Sequence, residues 1–330
     1  MPKKNYIVHY RNLKFYLSMG LQLKYIHRVI EFKQERWLAP YINFNTEKRK
    51  LATTDFERNL YKLCNNAVFG KMCEDMRKRI DVKITTYPPQ AQRYIAQPNF
   101  ASFTMINEDA TMVKMNKTSI LWRKPTYVGF TILELSKLHM YKFHYEHMVP
   151  FYTENGRCRA KLLFTDTDSL CYEIQTTDVY ADMSKRLDLF DTSDYPPNNP
   201  LFSKTNAKVV GKMKDESPGV PPIEFVGLRS KMYSLLLPDN KEKMTAKGIP
   251  INHTRKHITH SQYKDCLLKE HQTFAKFHSI TSKNHVMRTE EVQKSALSCY
   301  DDKRYLLSDS TDTLAYGHHA IPRTKPNKQP

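Results

Sequence analysis

Two aspartates stand one residue apart in the segment KLLFTDTDSLCYEI, residues 161–174. The apolar runs on both sides predict two short strands, and the turn-forming residues between them predict a tight hairpin. Alternation places Asp166 and Asp168 on the same side of that hairpin. Two such close carboxylates repel each other, and Mg²⁺ suits hard oxygen ligands while taking phosphate oxygens as well. The pair is therefore a candidate metal site, with an ordinary solvated turn as the alternative.

A second set of candidate residues lies on a predicted helix from Thr54 to about Met76. Its apolar positions recur at helical spacing and predict the packing face: Phe56, Leu60, Leu63 and Ala67. The other face carries cations at its start and an aromatic further on: Arg58, Lys62, Asn66 and Phe69. A lysine can meet a triphosphate as a point charge, and a phenyl ring can pack on a sugar or base. A solvated face with one exposed aromatic is the alternative.

A third candidate is VGLRSKMYSLL, residues 226–236, which is predicted to be one strand. Alternation then places Arg229, Lys231 and Tyr233 on one face. A cation beside a phenol suits a phosphate backbone, although an ordinary solvated strand face has the same composition.

The elements that must position these residues belong to a basic chain of globular composition. The 330 residues carry 52 Lys+Arg and 34 Asp+Glu, a net charge of +18, which favours a nucleic-acid partner. No apolar run is long enough for a transmembrane helix and no secretory signal is evident, so an intracellular protein without a membrane partner is expected. Residues 129–148 and the region after His257 are predicted to be helical, and the tail PRTKPNKQP disordered.

Taken together and in order, the three motifs resemble those of family B DNA polymerases of the protein-primed branch, as in Maverick/Polinton-type elements and related DNA viruses. The order is KxxxNxx[YF]G on a helix, DTDS in a hairpin and KxY on a strand. Supporting stretches are residues 6–32, 43–50, 127–145 and 299–307. Phe69 and Ala67 stand where the family motif usually has Tyr and Ser.

The resemblance implies an α+β fold, namely a partial palm, fingers and thumb core with an antiparallel palm sheet and helices on one face. The implied divisions follow the chain: 1–43 end of palm and linker, 44–80 fingers, 81–125 a small insertion, 126–235 palm, 236–320 thumb, and 321–330 a disordered tail.

The resemblance also implies roles. Asp166 and Asp168 would bind Mg²⁺, with Mn²⁺ as a substitute, and act in catalysis. Nucleotide binding would involve four residues: Lys62 at the phosphates, Asn66 and Phe69 at the nascent base pair, and Arg58 beside them. Primer and DNA contacts would come from a second set: Lys231, Tyr233, Arg229 and Lys247. The implied partners are a DNA primer–template, a dNTP and a terminal priming protein, in the nucleus or at a viral replication site.

Two elements of the family pattern are not found in the sequence: the D-x-x-SLYP motif with its metal-binding aspartate, and the proofreading exonuclease. The sequence is therefore expected to match the C-terminal half of such a polymerase. Two functions stay open, template-directed DNA synthesis and non-catalytic nucleic-acid binding by a mobile-element remnant. A reverse transcriptase fits less well because its hairpin acids are adjacent, and a magnesium phosphohydrolase would not need the Lys62 helix or the Lys231 strand.

Overall fold

The computed structural model describes residues 3–283, 286–301, 303–307, 312–316, 318 and 320–321. The fold is α+β, with several small and mostly antiparallel sheets. The chain divides into two compact units. The first comprises Met1–Tyr6, Thr153–Thr281 and Thr289–Pro330, and the second comprises Ile7–Tyr152 and Ser282–Arg288. No helix among the described residues is both long and apolar enough to cross a bilayer.

The helices of the second unit are α1 (Tyr10–Ser18), α2 (Ala39–Leu51), α3 (Asp55–Met72), α4 (Pro88–Ile95), α5 (Thr126–Lys142) and α6 (Val149–Phe151). A π-helical turn, Phe143–Met148, joins α5 to α6, so the helix predicted over 129–148 is confirmed. A capping box begins α3, because Thr54 and Glu57 satisfy each other's backbone N–H groups.

A small subdomain of the second unit contains β1 (Ile80–Thr85), β2 (Phe100–Met105) and β3 (Thr111–Asn116). The strands pair in the order β1-β3-β2, and a 3₁₀ turn at Met76–Lys78 precedes them. Ala91 of α4 packs on Val113 and Met115 to form the small core of this sheet.

The apolar stripe predicted for α3 does not form its packing face. Phe56 and Leu63 are 75% and 62% exposed, and Leu60 is exposed as well. The half-buried side of α3 instead includes Tyr61, Cys64 and Asn65. The side-chain amide of the buried Asn45 on α2 donates to Asn65 Oδ1 at 2.9 Å, so a polar contact between helices sets the orientation.

In the first unit, the short elements before the core are β4 (Thr153–Glu154), β5 (Arg157–Cys158), β6 (Ala160–Asp166), β7 (Ser169–Ile174), α7 (Val179–Ser184), β8 (Phe190–Asp191) and β9 (Met213–Lys214). A 3₁₀ turn at Leu187–Leu189 precedes β8. The β6–β7 pair is the hairpin predicted around the two aspartates, and its existence is confirmed.

The main core of the first unit lies under a three-stranded antiparallel sheet. The sheet contains β10 (Glu224–Arg229), β11 (Met232–Leu236) and β12 (Glu242–Ala246). Helices α8 (Ile251–His257) and α9 (His260–Lys269) follow it. Val226, Met232 and Tyr263 belong to one buried cluster that joins the sheet to α9.

Two predictions about this unit are wrong. Residues 226–236 form two strands rather than one, because Ser230 and Lys231 make a turn in which Lys231 has φ +59°. The region after His257 is helical only as far as Lys269. It continues as the paired strands β13 (Thr273–Lys283) and β14 (Val286–Leu297), and then β15 (Arg304–Leu306) and β16 (Thr313–Ala315). Of the tail predicted to be disordered, residues 322–330 lie outside the described residues.

Candidate functional site at the acidic hairpin

The two aspartates stand at the tip of a hairpin with a two-residue loop. Asp166 ends β6 and pairs with Ser169, which begins β7, so Thr167 and Asp168 form the loop. Thr167 has φ +57°, the left-handed conformation that tight hairpin loops require. The Asp168 backbone N–H donates to the Asp166 carbonyl at 2.6 Å and closes the turn. The loop holds the half-buried Asp166 close to the exposed Asp168.

A lysine 65 residues further along the chain contacts this tip. Lys231 Nζ lies 2.8 Å from Asp166 Oδ1 and 3.0 Å from Oδ2, so one ammonium bridges both carboxylate oxygens. The hydrogen bond to Asp166 raises the pKa of Lys231, and the charges of Asp166 and Asp168 contribute in the same direction. The fold therefore brings the DTDS and KxY motifs together in one unit.

Three aromatic rings position the hairpin beside the sheet. The Phe164 and Tyr233 rings stack with centroids 4.3 Å apart, and Phe164 also stacks on Phe225 at 5.7 Å. Gly227, which pairs with Tyr233, is needed for this arrangement, since a Cβ there would lie 2.6 Å from the Phe225 ring. Burial raises the pKa of Tyr233, and the nearby Asp166 charge adds to the effect. Loss of the phenol proton is thus disfavoured beside Asp166.

More positive charge lies at the same end of the sheet. Lys247 follows β12, and its backbone N–H donates to the Lys231 carbonyl at 3.1 Å. The next residue, Gly248, approaches Lys294 so closely that a Cβ would lie 3.2 Å from the Lys294 Nζ. Arg229 ends β10 and is exposed. Three of the residues predicted to bind DNA, Arg229, Lys231 and Lys247, therefore lie around turns at one end of the sheet. Tyr233 does not share a strand with Arg229, because it lies on β11 and pairs with Gly227 of β10.

The pair of carboxylates offers Mg²⁺ a small set of hard oxygen ligands. Within the described parts of the chain, no group of three or more His, Cys, Asp or Glu side chains is placed to hold a metal. Two carboxylates are nevertheless enough for Mg²⁺ when phosphates and waters supply the other ligands. Asp166 and Asp168 thus fit an ion that arrives with a phosphate ligand, and Lys231 would have to leave Asp166 to admit it.

The four predicted nucleotide-binding residues lie on α3, in the other unit. Arg58, Lys62 and Asn66 are exposed, whereas Phe69 is half-buried. Arg58 is already engaged, because its guanidinium donates to Asp55 Oδ1 at 3.0 Å. The helix therefore presents Lys62 and Asn66 in one exposed row, and their assignment to nucleotide binding stays a prediction.

Sequence reasoning missed the residues that support the site. Phe164 and Phe225 stack on each other beside Tyr233, but in the sequence they look like ordinary apolar core residues of two strands. Lys294 belongs to strand β14, which the sequence did not predict, so nothing in the sequence indicated that it lies next to Gly248. The alternating apolar pattern around Phe225 shows that the residue is in a strand but not which ring it meets.

No protein-family model matches the sequence, and comparisons with curated proteins and with solved structures give no match either. The resemblance to family B DNA polymerases accordingly depends on the sequence motifs alone.

Proposed function

We propose that this chain carries part of the polymerase core of a protein-primed family B DNA polymerase and takes part in template-directed nucleotidyl transfer. The reaction is attack of a primer 3′-hydroxyl on the α-phosphate of a dNTP, with release of pyrophosphate. In this proposal β6–β7 and the strands β10 and β11 belong to the palm, α3 to the fingers, and the region after Leu236, which includes β12, to the thumb. The observation that supports it most directly is the contact of Lys231 with Asp166.

Within the proposed site, each side chain has a physical task. Asp166 and Asp168 would hold Mg²⁺, which stabilises negative charge on the reacting phosphate oxygens. Lys231, once released from Asp166, and the nearby Lys247 would bind backbone phosphates of the primer. Tyr233, fixed by its stack on Phe164, offers a phenol donor next to the primer end. On α3, Lys62 would offset charge on the dNTP phosphates, while Asn66 and Phe69 line the base pair.

The test is extension of a labelled primer on a DNA template with Mg²⁺ or Mn²⁺ and all four dNTPs. Where the wild-type chain extends the primer, Asp168→Asn should lower the rate at least about 100-fold. The matched control is Asp265→Asn, an exposed carboxylate on α9 that bonds Lys269, which should leave the rate unchanged. Absence of extension by the wild-type chain, or equal rates in both variants, would refute the catalytic proposal.

A second candidate is nucleic-acid binding without turnover. It is favoured by the ion pair itself, because Lys231 already neutralises the better buried of the two aspartates. This function predicts tight, salt-sensitive binding of primer–template with no extension and no effect of Asp168→Asn. A terminal priming protein is a further proposed partner, which co-purification of a stable complex with the chain would test.

A further inference from the structure

Two cysteines share the apolar core of the unit that carries the acidic hairpin. Cys266 lies on α9 and is fully buried, whereas Cys299 follows β14 by two residues and is half-buried. Both belong to the same apolar cluster, Cys266 as a member and Cys299 packed against it. The side chain and the backbone N–H of Cys299 both act on the pKa of the Cys266 thiol, as expected of two neighbouring residues in this cluster.

The surrounding fold explains why these two residues are neighbours. The buried face of α9 consists of His260, Tyr263 and Cys266, at intervals of three residues, so the Cys266 side chain points into the core. Strand β14 ends in Ala296 and Leu297, both completely buried in that core. The chain that leaves β14 is thereby held against α9, where Cys299 is the first cysteine to follow.

We propose that Cys266 and Cys299 form a reversible disulfide when the protein meets hydrogen peroxide, and that this bond ties α9 to the chain leaving β14. Because the partly exposed Cys299 is the one that peroxide can reach, it reacts first. Its sulfur attacks one peroxide oxygen, the O–O bond breaks, and water leaves as Cys299 becomes a sulfenic acid. The Cys266 sulfur then attacks the Cys299 sulfur, the S–O bond breaks, and the second oxygen leaves as water. Each sulfur loses one electron and the peroxide gains two.

The second step should depend on pH. Burial raises the pKa of the Cys266 thiol to about 11, and the neighbouring Cys299 contributes while the Arg229 charge opposes. Tyr263 is a further titratable group that interacts with Cys266. Because the thiolate is the attacking species, disulfide formation should accelerate about tenfold per pH unit between pH 7 and pH 9.

The test uses the full chain with a small molar excess of hydrogen peroxide, followed by alkylation, digestion and mass spectrometry. We expect a linked peptide pair joining Cys266 to Cys299 within one chain, which dithiothreitol separates. The closed loop contains β13 and β14, so the oxidised protein should also melt several degrees higher. Cys73 and Cys158, both exposed, serve as internal controls: they should react with peroxide without forming this link.

Two variants keep the test decisive. Cys266→Ala should abolish the link and leave a Cys299 sulfenic acid that dimedone traps. Cys299→Ser, at a half-buried position, should abolish the link as well and protect Cys266 from oxidation in the folded protein. The proposal fails if wild-type Cys299 is oxidised only to sulfinic or sulfonic acid. It also fails if Cys266, alkylated in denaturant, reacts to the same extent before and after peroxide treatment. Disulfides found only between separate chains would also overturn it.

Discussion

The Lys231 ammonium contacts both carboxylate oxygens of Asp166, so any cation that binds Asp166 must compete with it. The contact also stabilises the hairpin tip, because the positive charge of Lys231 offsets the repulsion between Asp166 and Asp168. Lys231 is more than half exposed and sits in a turn, and its ammonium can therefore exchange one anionic partner for another. Exchange of the carboxylate for a DNA phosphate would make metal binding and DNA binding mutually supportive.

Replacement of Lys231 by Met should strengthen divalent-cation binding to the hairpin. The two carboxylates then lack their competing cation, and we expect the Mn²⁺ dissociation constant, measured by electron paramagnetic resonance, to fall about two- to fivefold. Lys241→Met is the matched control, because Lys241 lies at the β11–β12 turn and pairs with Asp239 instead. Equal Mn²⁺ affinities in Lys231→Met and wild type would show that Asp166 is not a cation ligand.

At the scale of elements, α9 is anchored to all three strands of the sheet. His260 Nδ1 lies 2.8 Å from Ser234 Oγ on β11, and the Tyr263 hydroxyl donates to the Thr245 carbonyl on β12 at 2.7 Å. Lys264 Nζ lies 2.8 Å from Glu224 of β10, which lowers the pKa of that carboxyl. Ser234 is the neighbour of Tyr233, so the His260 contact holds the strand that presents Tyr233 to the hairpin.

The His260–Ser234 contact should be measurable as a coupling energy. Both side chains are almost completely buried, and loss of one partner leaves the other without a hydrogen bond, at a cost of about 1–3 kcal/mol. A double-mutant cycle with His260→Ala and Ser234→Ala, followed by hydrogen exchange of the α9 amides, should give a coupling near 1 kcal/mol. The exposed Lys269–Asp265 pair is the control and should give about 0.5 kcal/mol or less. A coupling no larger than the control would mean that α9 is held by apolar packing alone.

Glu74 links the end of α3 to the start of β1 and should make the second unit sensitive to acid. Arg79 contacts both of its carboxylate oxygens, at 2.6 and 2.8 Å, and Lys71 lies 3.0 Å away. These donors lower the pKa of Glu74 far below its usual 4.5. The stabilisation is therefore present above about pH 4.5 and is lost progressively as the pH falls below it.

Glu74→Gln should consequently be less stable than wild type at pH 7, with a difference that shrinks as the pH falls below 4.5. Fluorescence of Trp37 and Trp122, both in the second unit, reports its unfolding in urea at each pH. Glu47→Gln, which loses only an exposed pair with Lys50, should show no such pH dependence. A constant difference across pH 3–7 would rule out an ionised Glu74 as its source.

Some helices and strands could be predicted from the sequence and others could not. The acidic hairpin was predictable because Thr, Asp and Ser interrupt two apolar runs. The turn at Ser230 and Lys231 was not, because the alternation of Leu228 and Met232 continues in phase across it, so two strands resemble one. Strand β13 was missed since its inward residues alternate polar and apolar types, Thr273 and Ser279 with Ala275 and Phe277, while the apolar Phe274 and Ile280 face outward. Neither face therefore shows a continuous apolar stripe. The exposed stripe of α3 shows that periodicity finds a helix without telling which face its neighbours cover.

At the scale of the whole molecule, the excess of positive charge is the property most directly tied to a partner. The net charge is +18, and residues 1–50 alone hold 11 Lys+Arg against 3 Asp+Glu. Charge of this kind attracts nucleic acid without regard to sequence, and binding releases counterions from the phosphates. The aspartates at the hairpin tip are then a local negative site within a mainly positive protein, and such a site suits a metal ion that travels with a phosphate.

DNA affinity should therefore fall steeply as the salt concentration rises. Arg229 and Lys247, at one end of the β10–β12 sheet, should each contribute a measurable part of that salt dependence. Fluorescence anisotropy with a labelled single strand, between about 50 and 200 mM NaCl, gives the slope of log affinity against log salt. If Arg229 and Lys247 each neutralise one phosphate, Arg229→Ala and Lys247→Ala should each reduce the magnitude of that slope by about 0.7, independently of base sequence. Lys241→Met, at the opposite end of the same strands, removes equal charge and should leave the slope nearly unchanged. Equal reductions in all three variants would show that the general field of the protein binds DNA, whereas a slope near zero in wild type would exclude phosphate contacts as the source of affinity.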